Sequence, residues 1–559
     1  MSRIAQTTDL ARVAVSRGWQ ASPAATGPAV PGTESTDAPP LPIFDKLDGW
    51  ATFFTGPAGI ASAILLVSLF CLVAWFWGMY SPRPGFAGKG EIFREMSARQ
   101  ARKMIAQTRP SLVGREKKAP ITSYAVPLGR LRSGGFPTGI WGTPEQNYLI
   151  LAPSRQGKSI ILNSMIYRWA GAVVHTSSKV KDHLVTRGLR ELLGPVWVWD
   201  PLGLSGEKAL NTFRWDPIRG CEDRSVAIQR AAYLLYGSRS NPGASVEEFF
   251  KSTAGEVLAR FLNAAALGNK TMLDVYAWSQ DRSDFSAITI LMNSGADPGW
   301  ISTLKSRQEV VQGTGDGIFT TLSNALAWMA NPKVAATVLP GPGEHFDAEA
   351  FLTNQGTLYM IGSKEPGSVI APLYVMFADY LRRVAIELGN KTDNGRMDPP
   401  CLWALDEVAN IIPLPVDQWM TDSGGRGLTL VLVIQSRSQL YDVWGEGRGR
   451  VVWDDANVRI YLRGIGDRNV REDISAMCGT YERTRKDRDP EDRPVMPQGK
   501  IFKLGRRQSL VIFAGCSPVL THVRPLWKRR DVKRLTNKPK LPGQRPATRS
   551  RVSLRKGRR

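Results

Sequence analysis

Cysteine and histidine are scarce in this sequence, which has five cysteines and four histidines among 559 residues. No two cysteines form a CxxC pair, and the histidines lack the spacing of metal ligands. A disulfide framework or a dedicated zinc site is therefore not indicated, and a reducing compartment fits. Hydrophobic residues make up 43% and charged residues 22% of the chain, which excludes a wholly disordered or collagen-like protein.

Most of the chain has little excess positive charge, although the net charge of the whole chain is +23. Residues 524–559 carry +14 and residues 83–118 carry +7, whereas residues 119–523 carry only +3. The body is thus nearly neutral, and its composition alone does not argue for nucleic-acid binding. Residues 524–559 are expected to be a flexible basic tail that binds DNA, anionic lipid or an acidic partner, or that is simply solvated.

One segment has no charge at all: residues 49–82, between Asp48 and Arg83. Its apolar centre is long enough to cross about 30 Å of hydrocarbon, and aromatic residues gather at its C-terminal end. The basic segment 83–134 follows at once, which places the C-terminal body in the cytoplasm. We therefore expect a single-pass protein of the cytoplasmic membrane, with a disordered tail over residues 1–48.

Short apolar runs alternate with helical patterns through the body of the chain. Eight runs read as strands: 147–152, 172–176, 196–200, 357–361, 401–405, 429–434, 458–462 and 509–514. Near-continuous apolar strands separated by helices predict an α/β fold with a mostly parallel sheet covered on both faces. Residues 225–340 contain helical patterns instead and are expected to form an all-helical insertion. The nucleotide-binding domain then consists of residues 135–224 and 341–523.

A phosphate-binding loop is predicted between the first of these strands and a helix. Its residues are Ala152, Pro153, Ser154, Arg155, Gln156, Gly157, Lys158 and Ser159. The pattern GxxxxGK[ST] is matched except that Ala152 replaces the first glycine. Backbone N–H groups would bind the phosphates of ATP, Lys158 would reach the β- and γ-phosphates, and Ser159 would bind Mg²⁺.

A pair of acids completes the predicted site. Asp406 and Glu407 follow the apolar strand 401–405. An aspartate at the carboxyl end of a parallel strand is suited to hold the magnesium shell, and the adjacent Glu407 is suited to act as the general base for water. The loop and the two acids together predict a P-loop ATPase.

Two further residues are candidates for roles in hydrolysis. Gln435 ends the strand 429–434, where its amide is suited to sense the γ-phosphate or orient water, although a polar residue is common at a strand end. Arg426 lies on a glycine-rich turn, Ser423–Gly427. It is suited to be an arginine finger on a neighbouring subunit's nucleotide, or it is an ordinary surface arginine.

These motifs resemble the TraG/TraD-type family of conjugative DNA-transfer ATPases, the coupling proteins of type IV secretion. The matching segments are APSRQGKS, VWVWDP, LNTFRWDP, LDEVANIIPLP, SGGRG, VIQSRSQLYDVWG and RPVMPQGKI, in order over about 135–520. The resemblance implies a RecA-like motor with an all-helical insertion that assembles as a homo-hexamer at a secretion channel. It also implies that single-stranded DNA with its relaxase is the substrate. Many relatives have two membrane spans, and an acid usual after the second strand is replaced here by Ser177-Ser178-Lys179.

Two other functions remain open at this point. An FtsK-like translocase of double-stranded DNA shares the motor but usually carries a long linker and a winged-helix domain. A receptor ATPase for secreted proteins would share the anchor and the motor without any DNA role.

Overall fold

The computed structural model describes residues 61–62, 64–71, 83–133, 138–206, 211–238, 245–363, 369–485 and 488–536. Contacts divide the chain into two compact units, residues 1–76 and 77–559. The described residues of the first unit are helical and exposed. No helix within the described residues is long and apolar enough to cross a bilayer. The predicted tail 1–48 and most of the predicted span 49–82 lie outside the described residues.

The second unit is built on one large sheet. Its described strands are β1 (Val126–Leu131), β2 (Gly139–Gly142), β3 (Tyr148–Leu151), β4 (Val173–Ser177), β5 (Val196–Trp199), β6 (Thr357–Ile361), β7 (Cys401–Leu405), β8 (Leu428–Ile434), β9 (Val458–Tyr461), β12 (Gln508–Phe513) and β13 (Val519–His522), and β10 (Thr480–Arg485) pairs with β11 (Arg488–Pro494) as a separate hairpin. The order across the sheet is β2-β1-β13-β12-β9-β3-β8-β7-β4-β6-β5. The seven strands from β9 to β5 are parallel, so their carboxyl ends share one edge.

Both faces of this sheet are buried. Along β3, Leu149 and Leu151 belong to one apolar cluster, whereas Tyr148 and Ile150 belong to another. Alternate side chains point to opposite faces of a strand, so a strand with both faces covered is apolar at most positions. This is why the parallel strands could be recognised in the sequence as continuous apolar runs.

Helices cover the sheet and fill the connections. They are α1 (Lys89–Glu95), α2 (Ala98–Lys103), α3 (Ile105–Thr108), α4 (Lys158–Ile166), α5 (Val180–Arg190), α6 (Arg224–Gly237), α7 (Ser245–Leu267), α8 (Met272–Gln280), α9 (Ser286–Asn293), α10 (Pro298–Glu309), α11 (Gln312–Leu326), α12 (Pro332–Ala335), α13 (Ala348–Thr353), α14 (Ala371–Asn390), α15 (Val408–Ile411), α16 (Val416–Ser423), α17 (Ser438–Asp454), α18 (Arg468–Met477), α19 (Gln498–Phe502) and α20 (Arg530–Thr536). Where the chain is described between β5 and β6, its regular elements are helical, in the region predicted as an all-helical insertion.

The segment 83–134 is part of the sheet rather than a separate linker. It supplies β1, which pairs antiparallel with β13 and β2. It also docks on the loop before β7, where Arg109 Nε lies 2.6 Å from Asp398 Oδ1 and the Ser111 N–H donates to Asp398 Oδ2. The predicted boundary at residue 135 therefore does not coincide with the edge of the sheet. Its position could not be read from β1, because VPLGRL is too polar to stand out as a buried strand.

The start of the predicted flexible tail is folded, which differs from the expectation. In α20, Val532 is buried with Leu526, Tyr167 and Leu189, and Asp531 accepts a hydrogen bond from the Tyr167 hydroxyl at 3.0 Å. The expectation of a flexible tail from residue 524 was wrong for these residues, because their few apolar side chains pack although basic residues surround them. Residues 537–559 lie outside the described residues.

A buried arginine fixes the connection between α4 and β4. Arg190, at the end of α5, donates from Nε to Thr357 Oγ1 at 2.7 Å and to the carbonyls of Trp169, Gly171 and Gln355. Burial lowers the pKa of its guanidinium to about 10. One planar side chain therefore satisfies three backbone carbonyls and holds the segments that precede β4 and β6.

We expect Arg190→Lys to lower the stability of the unit although the charge is kept. A lysine cannot reproduce the fork of donors, and leaving buried carbonyls unpaired costs about 1–3 kcal/mol. Thermal unfolding followed by intrinsic fluorescence should show a midpoint several degrees lower. Arg187→Lys on the same helix is the control, because Arg187 is paired with the more exposed Glu191 on the surface of the same helix. Equal midpoints for the two variants would contradict the role assigned to Arg190.

Candidate functional site

The predicted phosphate loop joins β3 to α4 at the carboxyl edge of the sheet. Ala152 is fully buried, and its N–H donates to the carbonyl of Ile434 at 3.1 Å, so it extends the pairing of β3 with β8. This position needs a small residue, and alanine meets that need. Gly157 has a φ of 102° directly before α4, a conformation that favours glycine. The loop therefore ends with α4 N–H groups directed to the predicted phosphate position.

The two predicted acids lie beside the lysine of this loop. Lys158 Nζ is 4.0 Å from Asp406 Oδ1 and 3.9 Å from Glu407 Oε1. The three side chains are only 4%, 3% and 1% exposed, respectively. Glu407 has a φ of 55°, an uncommon value for a residue with a side chain, at the turn between β7 and α15. The fold thus brings together residues nearly 250 positions apart in the sequence.

Gln435 connects the loop to the acids. It follows β8, which lies between β3 and β7 in the sheet. Its Nε2 donates to Glu407 Oε1 at 3.3 Å, and its Oε1 accepts a hydrogen bond from Ser154 Oγ at 3.0 Å. The backbone N–H of Gln435 in turn donates to Gln439 Oε1. The side-chain amide of Gln435 is therefore held by hydrogen bonds at both of its polar atoms, between the phosphate loop and the predicted general base.

The donor set fits a magnesium ion that arrives with a nucleotide. No cluster of three or more His, Cys, Asp or Glu side chains capable of holding a metal occurs in the described residues. Magnesium usually binds one or two protein oxygens together with phosphates and water. Ser159, at the start of α4, and Asp406, at the end of β7, offer such oxygens at the same edge of the sheet.

A cavity of about 450 Å³ opens beside the phosphate loop. It is within the range of small-molecule sites. Four arginines and several apolar side chains line it, and no acidic residue does so among the described residues. The lining residues are Arg155, Gln156, Gly157, Ile160, Ile161, Leu462, Arg463, Arg506, Arg507 and Val523. The volume, the positive charge and the neighbouring loop suit the remainder of a nucleotide.

Three of these arginines were not identified from the sequence. Arg463 follows β9, whose carboxyl end lies at the same edge as the phosphate loop, so the rule used for Asp406 could have found it. Arg506 and Arg507 precede β12. They reach this edge only because β12 runs antiparallel to β9, which the sequence does not reveal.

Arg426 lies away from the other predicted residues. It precedes β8 and is therefore at the amino edge of the sheet, about 20 Å from the carboxyl edge for a strand of this length. Its Nε donates to Asp422 Oδ1 at 3.2 Å and its Nη1 to Asn390 Oδ1 at 3.3 Å. The side chain is 39% exposed. Arg426 is thus too far away to touch a nucleotide on its own chain.

Comparison with known proteins agrees with the family suggested by the motifs. Residues 400–507, which include Asp406, Glu407 and Gln435, match the family model described as the TraM recognition site of TraD and TraG. This match covers about a fifth of the chain. Over 401 residues the chain is 21% identical to the conjugal transfer protein TraG of Rhizobium radiobacter, covering 67% of this chain and 60% of that relative. The resemblance to TraG/TraD-type coupling proteins is therefore confirmed.

Solved structures of a plasmid coupling protein, TrwB, share the fold. The complex of TrwB with the GTP analogue GDPNP has a TM-score of 0.52 and 18% identity, covering 68% of this chain and 86% of TrwB. The complex of TrwB with ADP and Mg²⁺ has a TM-score of 0.51 and 19% identity, covering 68% and 85%. The predicted α/β fold with a mostly parallel sheet is thereby confirmed.

Proposed function

We propose that this chain is an ATPase that couples a DNA or nucleoprotein substrate to a type IV secretion channel and drives its transfer. The observation that carries the proposal is the approach of Lys158 to Asp406 and Glu407 beside a glycine-ended loop. The names of its relatives support the biological part, since they are a conjugal transfer protein and a plasmid coupling protein. ADP and Mg²⁺ bound to TrwB support both cofactors.

When a nucleotide binds, Lys158 would first exchange its carboxylate partners for the phosphates. Its ammonium group now lies between two carboxylates in a nearly dry environment, where charges interact strongly. Arriving phosphates offer the same ammonium a denser negative charge, and the N–H groups at the start of α4 add to the attraction. Lys158 would then turn from the acids to the phosphates and leave Glu407 available to accept a proton.

Hydrolysis would use Glu407 as the general base and Gln435 to position the attacking water. The hydrogen bond from Gln435 to Glu407 holds the two groups together. Bound Mg²⁺, held by Ser159 and Asp406, would neutralise charge on the phosphates. Arg155, Arg463, Arg506 and Arg507 would hold the rest of the nucleotide in the adjoining cavity.

The setting of the enzyme is part of the proposal. The uncharged segment 49–82 supports a single membrane anchor with the catalytic body in the cytoplasm. The location of Arg426 at the far edge of the sheet supports a homo-hexamer, because only a neighbouring copy could bring this arginine to a nucleotide. Channel components and single-stranded DNA with its relaxase are the proposed partners.

The proposal is tested by ATPase activity of the full chain in a neutral detergent, with and without single-stranded or duplex DNA. We expect single-stranded DNA to stimulate turnover at low salt and the stimulation to fall as salt is raised. Stimulation by duplex DNA alone would favour an FtsK-like translocase. Turnover indifferent to DNA would favour a receptor for secreted proteins.

Arg426→Ala is expected to reduce turnover by about 10³-fold if the residue completes a neighbour's site. Mixing this variant with Lys158→Arg provides a sharper measurement. Where a Lys158→Arg subunit supplies its intact Arg426 to the intact phosphate loop of an Arg426→Ala neighbour, a complete site forms, so partial activity should return. Absence of recovery, with oligomers shown to exchange subunits, would contradict a role in trans. Arg450→Ala is the control, because Arg450 is an exposed arginine paired with the exposed Glu446.

A further inference from the structure

A second cavity, of about 640 Å³, lies on the antiparallel side of the sheet. One wall is the entry turn, which we define as residues Arg83–Phe86, and another is α19. Its lining combines three cations, Arg83, Lys500 and Lys503, with apolar side chains that include Met496 and Leu504. No acidic residue lines this cavity among the described residues. This composition differs from that of the nucleotide cavity, which lies at the carboxyl edge of the parallel strands.

The entry turn is held firmly against this cavity. The Arg83 N–H donates to the carbonyl of Ser133 at 3.1 Å, and the Ala87 N–H donates to that of Pro518 at 3.1 Å. Gly85 has a φ of 76°, and a side chain there would meet Val495 at 2.2 Å. The turn is therefore packed directly on the loop that leads to α19.

The three cations have no carboxylate partner within the described residues. Lys500 in α19 and Lys503 directly after it are exposed. Glu472, which accepts a hydrogen bond from Gln498 in α19, is already paired with Arg468 at 2.9 Å. Such cations favour an anion, and the apolar lining favours the hydrocarbon close to its headgroup. Together they suit an amphiphilic anion.

The position in the chain identifies the source of that anion. Arg83 is the first charged residue after the uncharged segment 49–82. Under the proposed membrane anchoring, no residue separates Arg83 from the end of the uncharged segment. The entry turn must therefore lie close to the headgroups of the cytoplasmic leaflet, where anionic lipids are available.

We propose that this cavity binds an anionic phospholipid, with Arg83, Lys500 and Lys503 around the headgroup phosphate and the apolar lining against the first carbons of the chains. The proposal rests on the membrane anchoring proposed above and not on the ATPase activity. Lipid binding would fix the orientation of the body at the membrane surface.

The test is native mass spectrometry of the full chain released from a neutral detergent. The protein is incubated with phosphatidylglycerol, with phosphatidylcholine, or with phosphatidylglycerol plus equimolar inorganic phosphate. We expect phosphatidylglycerol to be retained about ten-fold more than phosphatidylcholine and inorganic phosphate not to displace it. Lys500→Gln combined with Lys503→Gln should reduce that retention about ten-fold, because each lysine near a lipid surface adds several-fold in affinity.

The control is Lys270→Gln combined with Lys305→Gln, which removes two exposed lysines from the helical insertion and should leave retention unchanged. Lys158→Arg should also retain the lipid, which separates this site from the ATPase. Equal retention of the two lipids, or full retention by the Lys500/Lys503 variant, would overturn the proposal. Displacement of phosphatidylglycerol by equimolar inorganic phosphate would overturn the lipid proposal and indicate that the cavity binds free anions. If the proposed membrane anchoring is wrong, the chain should be recovered from cells without detergent, and this result is separate from the lipid measurement.

Discussion

Replacing Lys158 with methionine is expected to reduce ATP turnover by at least about 100-fold, because the phosphates lose their main cationic partner. A second effect should accompany this loss. Asp406 and Glu407 are left as buried carboxylates without the nearby ammonium, and breaking a buried pair costs about 3–5 kcal/mol. The thermal midpoint of the nucleotide-free protein should therefore also fall.

The matched variant Lys158→Arg separates these two effects. Arginine keeps the positive charge beside the acids, so the midpoint should remain closer to that of the original protein than in Lys158→Met. Its wide, planar head cannot replace the compact ammonium on the phosphates, so turnover should still be lost. ATPase assays and thermal unfolding of both variants would check this. Normal turnover in Lys158→Arg would rule out a specific contact of the ammonium with phosphate.

The second large effect is expected from Glu407→Gln. Glutamine keeps the shape of the side chain and can still accept a hydrogen bond from Gln435, but it cannot take a proton from water. Turnover should fall by about 10²–10⁴-fold, whereas nucleotide affinity should change little. Steady-state ATPase activity and equilibrium binding of a fluorescent ATP analogue would measure the two separately.

Asp406→Asn and Gln435→Ala serve as comparisons for this variant. Asp406→Asn should weaken the dependence on Mg²⁺, since Asp406 is assigned to the metal and not to the proton. Gln435→Ala should reduce turnover less than Glu407→Gln, because it removes an orienting group and keeps the base. If Glu407→Gln hydrolysed ATP normally and Asp406→Asn were inactive, the assignment would be reversed, with Asp406 as the general base and Glu407 as the metal ligand.

The parallel strands and the carboxyl-edge residues were predictable from the sequence for one physical reason. A strand buried on both faces is mostly apolar, so it is visible as a run, and a polar residue directly after it lies at the sheet edge. Asp406, Glu407 and Gln435 follow from this rule, whereas Lys158 was predicted from the GxxxxGK[ST] pattern after β3. The structure adds the distances between these side chains and the hydrogen bond from Ser154 to Gln435.

The antiparallel part of the sheet was harder to predict. β1 is a short strand that contains Pro127 and Gly129, and its pairing with β13 joins residues almost 400 positions apart. Neither partner carries a local signal for the other. The antiparallel pairing of β12 with β9 likewise places Arg506 and Arg507 beside the predicted phosphate loop, which is why these two arginines were not predicted from the sequence.

The pairing of β1 with β13 also determines how the body would respond to a mechanical load. A pull on the chain at Arg83 reaches the sheet through the backbone bonds to Ser133 and Pro518 and through the ladder of β1 with β13. These bonds lie on both sides of the entry turn, so the load would be shared rather than concentrated on one contact. A pull at Arg83 would therefore be opposed by several backbone hydrogen bonds at once, and the start of this unit would yield only when those bonds broke together.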